Sequence, residues 1–261
     1  MKTVRDCRFC NIAGHAVYKG VKMDNNIYSD IVNLEPWDAM MKMMAWNQLG
    51  EIKNKRILDF GSGIGVTASH YAAENEVVAI EPSEESVSKR WLKNDYRQIC
   101  GSTEILEIFE DESFDVIICH NVLEYAKERK TIIKEFSRLL KKDGYISIIK
   151  HNKPGRIMQM IVLLNDFDRA NSLLDGNDCT SAKYGDIHYY DDADVEKWGE
   201  NLKVAKTMGM RTFWDLQQNQ DVQRDVNWQN NMLKMEMRVQ DIEEYKYIAF
   251  FHHLIIKKAG K

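Results

Sequence analysis

Proline and cysteine are both scarce, with three and five residues among 261. So few prolines, and no low-complexity tract, exclude a long disordered linker. Five is an odd number of cysteines and their spacing is irregular, so they read as reduced thiols of a cytosolic protein rather than a disulfide framework. No run of eighteen apolar residues occurs and the first residues are polar, which predicts neither a membrane span nor a signal peptide. An excess of positive charge is missing too. The formal net charge of −4 argues against a generally basic nucleic-acid binder while leaving room for a local basic patch. Cys7-x-x-Cys10 with His15 supplies three zinc-type ligands where a closed site needs four, and no second pair of cysteines follows, so no metal is expected.

What is present is Ile57-Leu58-Asp59-Phe60-Gly61-Ser62-Gly63-Ile64-Gly65, an apolar run ending in an acid and then three alternating glycines. A helix-like segment, Val66 to Ala73, comes next. The pattern is a strand entering a tight turn whose backbone approaches a ligand, with no Cβ in the way. N–H groups at the start of the next helix then face that ligand. Sixteen residues past Gly65 a second apolar run, Val77 to Ile80, ends in Glu81, placed to accept hydrogen bonds from a ribose diol. The dinucleotide fingerprint G-x-G-x-x-G is out of step here, because its third glycine falls one residue early and Val66 follows. No Gly-Lys-Ser/Thr follows, which excludes a P-loop.

Periodicity predicts a helix from Trp37 to Leu49, with Met40, Met41 and Met44 as core packing. Strands are expected at 56–60, 76–81, 98–100, 114–119 and 144–150, and helices at 64–74, 84–97 and 129–141, the last closed by Lys141-Lys142-Asp143-Gly144. Alternation of this kind specifies an α/β fold with a parallel, doubly wound sheet. Beyond it the chain predicts a helical insertion or lid over 152–192, a helix at 193–207, a strand at 210–216, a polar helix at 221–241 striped by Val222, Val226, Leu233 and Met237, and a last strand from Lys246 to Lys258. The chain thus divides into an N-terminal segment and helix over 1–50, contributing to the pocket, and one domain over 51–261.

The nine residues from Ile57, with Glu81, resemble the first two cofactor motifs of the S-adenosylmethionine-dependent methyltransferases of the Rossmann-like, seven-stranded class. His120-Asn121-Val122-Leu123-Glu124, His151-Asn152-Lys153-Pro154-Gly155, Asp166-Phe167-Asp168, Gly209 to Asp215 and Gln223-Arg224-Asp225 occur in order and together look like the bacterial tRNA 5-carboxymethoxyuridine methyltransferases, from about Asn26 to Lys258. The resemblance implies S-adenosyl-L-methionine as cofactor. It assigns Gly61 and Ser62 to the methionine moiety, Glu81 to the ribose, Thr103 and Glu104 to the border of the adenine and His120 to a place near the cofactor, with Asp59, Gly63 and Gly65 as further cofactor-binding residues. It also implies helical insertions after strands 5 and 6, a cytoplasmic enzyme and a modified wobble uridine of tRNA as substrate.

A small anionic metabolite is the alternative acceptor, and a non-catalytic cofactor-binding protein a third reading. His151, Asn152, Lys153, Arg156 and Arg211 are the candidate substrate residues, with Lys150, Lys153 and Arg156 as three cations at the pocket mouth and Arg211 and Arg224 as possible further contacts. If the acceptor is a carboxylate no base is needed; a hydroxyl or amine would call on His120 or His151. One departure stands out. That family has an arginine shortly after an Asn-Ile-Tyr segment, where it meets the methionine end; here Asn26-Ile27-Tyr28 is present, but no arginine lies between Arg8 and Arg56.

Overall fold

The computed structural model describes residues 34–181 and 185–259. Cys7, Cys10, His15 and Asn26-Ile27-Tyr28 lie outside the described residues. The chain begins with α1 (Pro36–Leu49), followed by β1 (Arg56–Phe60), α2 (Val66–Tyr71), β2 (Glu76–Glu81), α3 (Glu84–Ser88), β3 (Arg97–Cys100), a 3-10 helix (Thr103–Ile108), β4 (Phe114–His120), α4 (Arg129–Leu139) and β5 (Leu140–His151). Next come α5 (Lys153–Val162), α6 (Phe167–Leu174), the short strands β6 (Cys179–Ser181) and β7 (Gly185–Ile187), and α7 (Asp194–Trp198). The chain closes with β8 (Leu202–Met210), a 3-10 turn (Trp214–Leu216), α8 (Gln220–Arg224), α9 (Val226–Val239), α10 (Glu243–Ile248) and β9 (Phe251–Lys258).

Seven strands form one sheet in the order β3-β2-β1-β4-β5-β9-β8, and β6 and β7 form a separate hairpin. β1 to β5 run parallel, while β9 is antiparallel to both β5 and β8. The parallel arrangement expected from the alternation holds for β1 to β5, and the reversed β9 makes the seven-stranded sheet mixed. Successive residues of each strand face opposite sides, so Ile57 packs with the helices carrying Met40, Met44, Leu233 and Met237, whereas Leu58 packs with Ile133 and Phe136 of α4. The sheet is thus covered on both faces, and the methionines of α1 are core.

Several expected boundaries move. The helix expected over 84–97 stops at Ser88, because Lys93 and Asn94 give their backbone N–H groups to Ser69 Oγ at 3.0 and 2.9 Å. The Lys-Lys-Asp-Gly segment is not a helix end but the start of β5, where Lys141 Nζ reaches Asp115 Oδ2 at 2.8 Å and a Cβ on Gly144 would meet the Asp115 carbonyl oxygen at 2.5 Å. The helix at 193–207 and strand at 210–216 resolve into the short α7 and β8, which ends at Met210. The 221–241 helix breaks at Asp225, which caps α9 by accepting from Trp228 N–H at 2.7 Å, and Val226 is exposed. Lys246 to Ile248 belong to α10, not to the last strand. The 152–192 insertion holds two helices around Met160, Ala170 and Leu173, and also the β6–β7 hairpin.

Candidate active site

The glycine turn leaves β1 at the carboxyl edge of the sheet. Gly61, Gly63 and Gly65 all have positive φ, +74°, +57° and +77°, where a side chain is strained. A Cβ on Gly61 would lie 2.3 Å from Val122 Cγ2, while one on Gly63 would meet nothing within 4 Å. The turn therefore packs against the residues after β4 on one side and opens on the other. Gly61 and Ser62 donate their N–H groups to the Ile80 carbonyl at 2.8 and 3.1 Å, which ties the turn to the end of β2.

Two acids back this turn. Glu81 accepts from Gly63 N–H at 2.7 Å through Oε2 and from Ser83 N–H at 3.0 Å through Oε1, leaving each carboxylate oxygen a further lone pair. Asp59 is buried and its Oδ2 has no hydrogen-bond partner. Burial pushes the Asp59 carboxyl up to about 6, with the Glu81 charge adding to the rise and the Lys42 ammonium opposing it. Ser62 Oγ, Thr103 Oγ1 and Asn121 Oδ1 are also buried without partners. Buried polar atoms without partners are uncommon, and these four, on or shortly after β1, β3 and β4, are free to meet a polar ligand at the turn. Glu104 is exposed at the edge of this region, and backbone N–H groups, that of Ser102 first, hold its carboxyl below the usual range.

His120 ends β4. Extending the β1–β4 register of Asp59 opposite Ile118 brings Gly61 level with His120, one strand spacing of about 4.8 Å away. Its ring opens a file of hydrogen bonds: His120 Nε2 to Ser147 Oγ at 2.7 Å, Ser147 Oγ to His253 Nε2 at 2.7 Å, His253 Nδ1 to Gln48 Oε1 at 2.7 Å, and Gln48 Nε2 to the Gly209 carbonyl at 3.1 Å. A carbonyl can only accept, so Gln48 must turn its NH₂ toward Gly209 and its oxygen toward His253. His253 then carries its proton on Nδ1, Ser147 donates to His253 Nε2, and His120 donates from Nε2. The lone pair of His120 is left on Nδ1. Burial keeps His253 neutral by lowering it to about 3, and burial, with the Lys42 ammonium acting in the same direction, holds His120 well below the usual histidine range.

The candidate substrate residues are not equivalent. His151 ends β5 and donates from Nδ1 to Glu124 Oε1 at 2.8 Å; Glu124 is fully buried, and its Oε2 has no partner. Asn152 gives both amide hydrogens to the Tyr247 and Ala249 carbonyls at 2.8 Å each, so its side chain locks α5 to α10. Arg211 is buried, adopts φ +56° and is paired to Asp215. Lys153 and Arg156 are half-buried on α5, Arg156 reaching Gln159. The expected ring of three cations is overturned at Lys150, which is 4% exposed and paired with Asp192 at 2.9 Å. Burial opposes ionisation of Asp192, but the His252 hydrogen bond and the Lys150 charge outweigh it and hold the carboxyl at about 2. Arg224 lies on the surface with Glu35 at 3.5 Å.

Glu124, Ser147, His253 and Gln48 were not singled out from the sequence as site residues. Glu124 had a signal, four residues after His120 in the same motif. His252-His253 inside an apolar strand was another, since alternation must send one of them inward. Ser147 and Gln48 carried none. Among the described residues no group of histidines, cysteines and acids could hold a metal ion, and no helix is long and apolar enough to cross a membrane.

A sheet with this strand order, one reversed strand, and a glycine turn backed by acids at the ends of β1 and β2 is the build of the S-adenosylmethionine-dependent methyltransferases. The profile of the family described as Methyltransferase domain matches residues 58–148. In sequence it is 24% identical over 234 residues to the tRNA 5-carboxymethoxyuridine methyltransferase of Escherichia coli (strain K12), covering 85% of this chain and 86% of that one. It is 27% identical over 119 residues to the ubiquinone biosynthesis O-methyltransferase of Glaesserella parasuis serovar 5, covering 42% of this chain and only 50% of the relative. It likewise spans about half of the corresponding Neisseria meningitidis serogroup C enzyme, 51% of its length. Among solved structures, the fold is shared with Burkholderia thailandensis 1,6-didemethyltoxoflavin-N1-methyltransferase bound to S-adenosylhomocysteine, at TM-score 0.52, 13% identity and coverage of 90% of this chain and 85% of that one. An S-adenosylmethionine-dependent methyltransferase from Mesorhizobium loti matches at TM-score 0.52 and 12% identity, covering 87% and 100%.

Proposed function

We propose that this protein transfers a methyl group from S-adenosylmethionine to an oxygen of a modified uridine in tRNA. The observation that carries the substrate is the similarity to the E. coli tRNA enzyme, which runs through most of both chains, insertions included. The orphaned atoms around the glycine turn support the cofactor. The spare lone pairs of Glu81 suit two ribose hydroxyls, Asp59 Oδ2 suits the amino acid's ammonium, and Thr103 with Glu104 borders the adenine. For the carboxylate, normally served by the missing arginine, Lys42 of α1 is the replacement. Its charge is felt at both Asp59 and His120, and no hydrogen bond or ion pair engages it among the described residues. In this reading α1 completes the pocket.

When bound, S-adenosylmethionine supplies an electrophilic methyl group on a sulfonium. The chain's task is then mostly positional, and holding reactants in line can supply effective molarities of about 10⁵ M or more. Val122, packed on Gly61, fixes the turn, and neutral His120 adds no positive charge beside a sulfonium.

Nucleoside mass spectrometry of total tRNA from cells lacking the gene, incubated with the protein and S-adenosylmethionine, tests the substrate. A gain of one methyl group on a wobble uridine derivative is the expected result, and binding to tRNA should weaken steeply with salt. Transfer only to a small metabolite, insensitive to salt, would replace tRNA by the second reading.

A further inference from the structure

A carboxylate acceptor arrives ionised at neutral pH, whereas a hydroxyl must lose its proton as it attacks. We infer that the acceptor oxygen is a hydroxyl on a flat ring, and that His151, held by Glu124, removes its proton. The inference rests on the methyltransferase reading above and narrows its substrate.

Two histidines end adjacent parallel strands at the ligand edge of the sheet, and only one is equipped as a base. His120 is fixed as a neutral ring by a file of donors that terminates on a backbone carbonyl, with nothing to balance a gained charge. His151 has an acid instead. Because Glu124 accepts from Nδ1, the basic lone pair of His151 sits on Nε2, and a proton arriving there meets a fully buried carboxylate across the ring. Glu124 is itself committed to this histidine: Oε1 also accepts the His151 backbone N–H at 3.3 Å, and Oε2 has no other partner.

The surroundings favour a flat, uncharged acceptor over a carboxylate. The His151 ring is flanked by Phe251 at 4.7 Å, Tyr125 at 6.2 Å and Tyr189 at 6.5 Å between centroids. Lys150 and Arg211, beside His151 in the chain and across the sheet, are already neutralised by Asp192 and Asp215, while Lys153 and Arg156 stand half-buried on α5. As the acceptor oxygen bonds to the methyl carbon, the carbon–sulfur bond breaks with its electron pair left on sulfur. The hydroxyl proton passes to His151 Nε2 and is later lost to water. The products are a methyl ether and the neutral thioether.

The test uses the full chain with methyl-labelled S-adenosylmethionine and two acceptor pools from cells lacking the gene, total tRNA and the small-molecule extract. Labelled product is then treated with mild alkali, which hydrolyses a methyl ester to labelled methanol and leaves an aryl methyl ether intact. Alkali-stable label is expected, and the pool that carries it identifies the source of the ring. Release as methanol overturns the inference but leaves the methyltransferase reading standing. No transfer to either pool by protein that binds the cofactor in calorimetry overturns that reading itself.

Glu124→Gln and His151→Asn should each lower kcat roughly a hundredfold or more with the cofactor Kd unchanged. Unchanged kcat in either folded variant overturns the base. A readout free of turnover is ¹⁵N NMR of the imidazoles in the ligand-free protein. His151 should carry its hydrogen on Nδ1, with mixed tautomers in Glu124→Gln; an Nε2–H form in the wild type overturns the assignment.

Discussion

The two ends of the central sheet hold the site on different terms. From β1 to β4 the ligand edge is mostly backbone: three glycines at positive φ, N–H groups on Ile80 and Glu81, and side-chain atoms left without partners. From β5 to β8 the edge is mostly side chain, with Lys150, Arg211 and His151 each committed to an acid and Ser147 to two histidines. One end opens on a backbone turn; at the other the charged groups are already paired. The difference teaches that a groove for a common cofactor can be made from local turn geometry, whereas a pocket for a particular acceptor is assembled from contacts between distant residues.

The sharpest way to break this contrast lies in the satisfied half. Asp192→Asn leaves the Lys150 ammonium buried beside a neutral amide and should cost about 3–5 kcal/mol in urea unfolding. Removing the charge as well, in Lys150→Met with Asp192→Asn, should recover most of that loss. Because Asp192 is depressed to about 2, its stabilisation is complete above the ordinary carboxylate range and disappears as pH falls toward 2. In the open half the equivalent lesion strikes the ligand before stability. Gly61→Ala drives a Cβ into Val122 from a strained φ, and the S-adenosylmethionine Kd should rise about a hundredfold, or about 2.7 kcal/mol.

Smaller effects sharpen the picture. Lys42→Ala should weaken S-adenosylmethionine about ten- to thirtyfold, roughly 1.4–2 kcal/mol, yet leave 5′-methylthioadenosine, which lacks the amino acid end, unaffected; equal losses for both would remove Lys42 from the carboxylate. Asp59, raised to about 6, must ionise to meet an ammonium. Binding then releases a proton below that pH, so affinity should fall about tenfold from pH 7 to pH 5, while Asp59→Asn should give a flat profile. Last, Lys153→Glu with Arg156→Glu should raise the acceptor KM only about threefold at physiological salt and leave the cofactor Kd alone, as expected of charges near solvent.

Legibility followed the same division. β1 and β2 were readable to the residue because an apolar run, an acid and a glycine turn are all local signals. The helix at 84–97 failed because the segment after Ser88 is organised by Ser69, some 24 residues earlier, rather than by its own periodicity. Lys246 to Ile248 read as strand because they adjoin one, but Asn152 holds the following carbonyls and Gly155 packs so closely on Ala249 that the chain must turn there. His151 was visible as a candidate base; the acid that makes it one was not, since nothing local links Glu124 to a ring 27 residues away. Lys150 read as a free cation because its partner, Asp192, lies at the far end of the insertion.

The file from His120 through Ser147, His253 and Gln48 has all its donors pointing one way, and its last station is an amide carbonyl of β8. Such a file is a blocked drain. A proton entering at His120 could advance only by leaving its charge on an amide oxygen, which cannot hold it and has no outlet behind. The core behind β4 is therefore sealed against proton traffic, and any proton released by the chemistry must leave through the mouth of the pocket by which the acceptor came in.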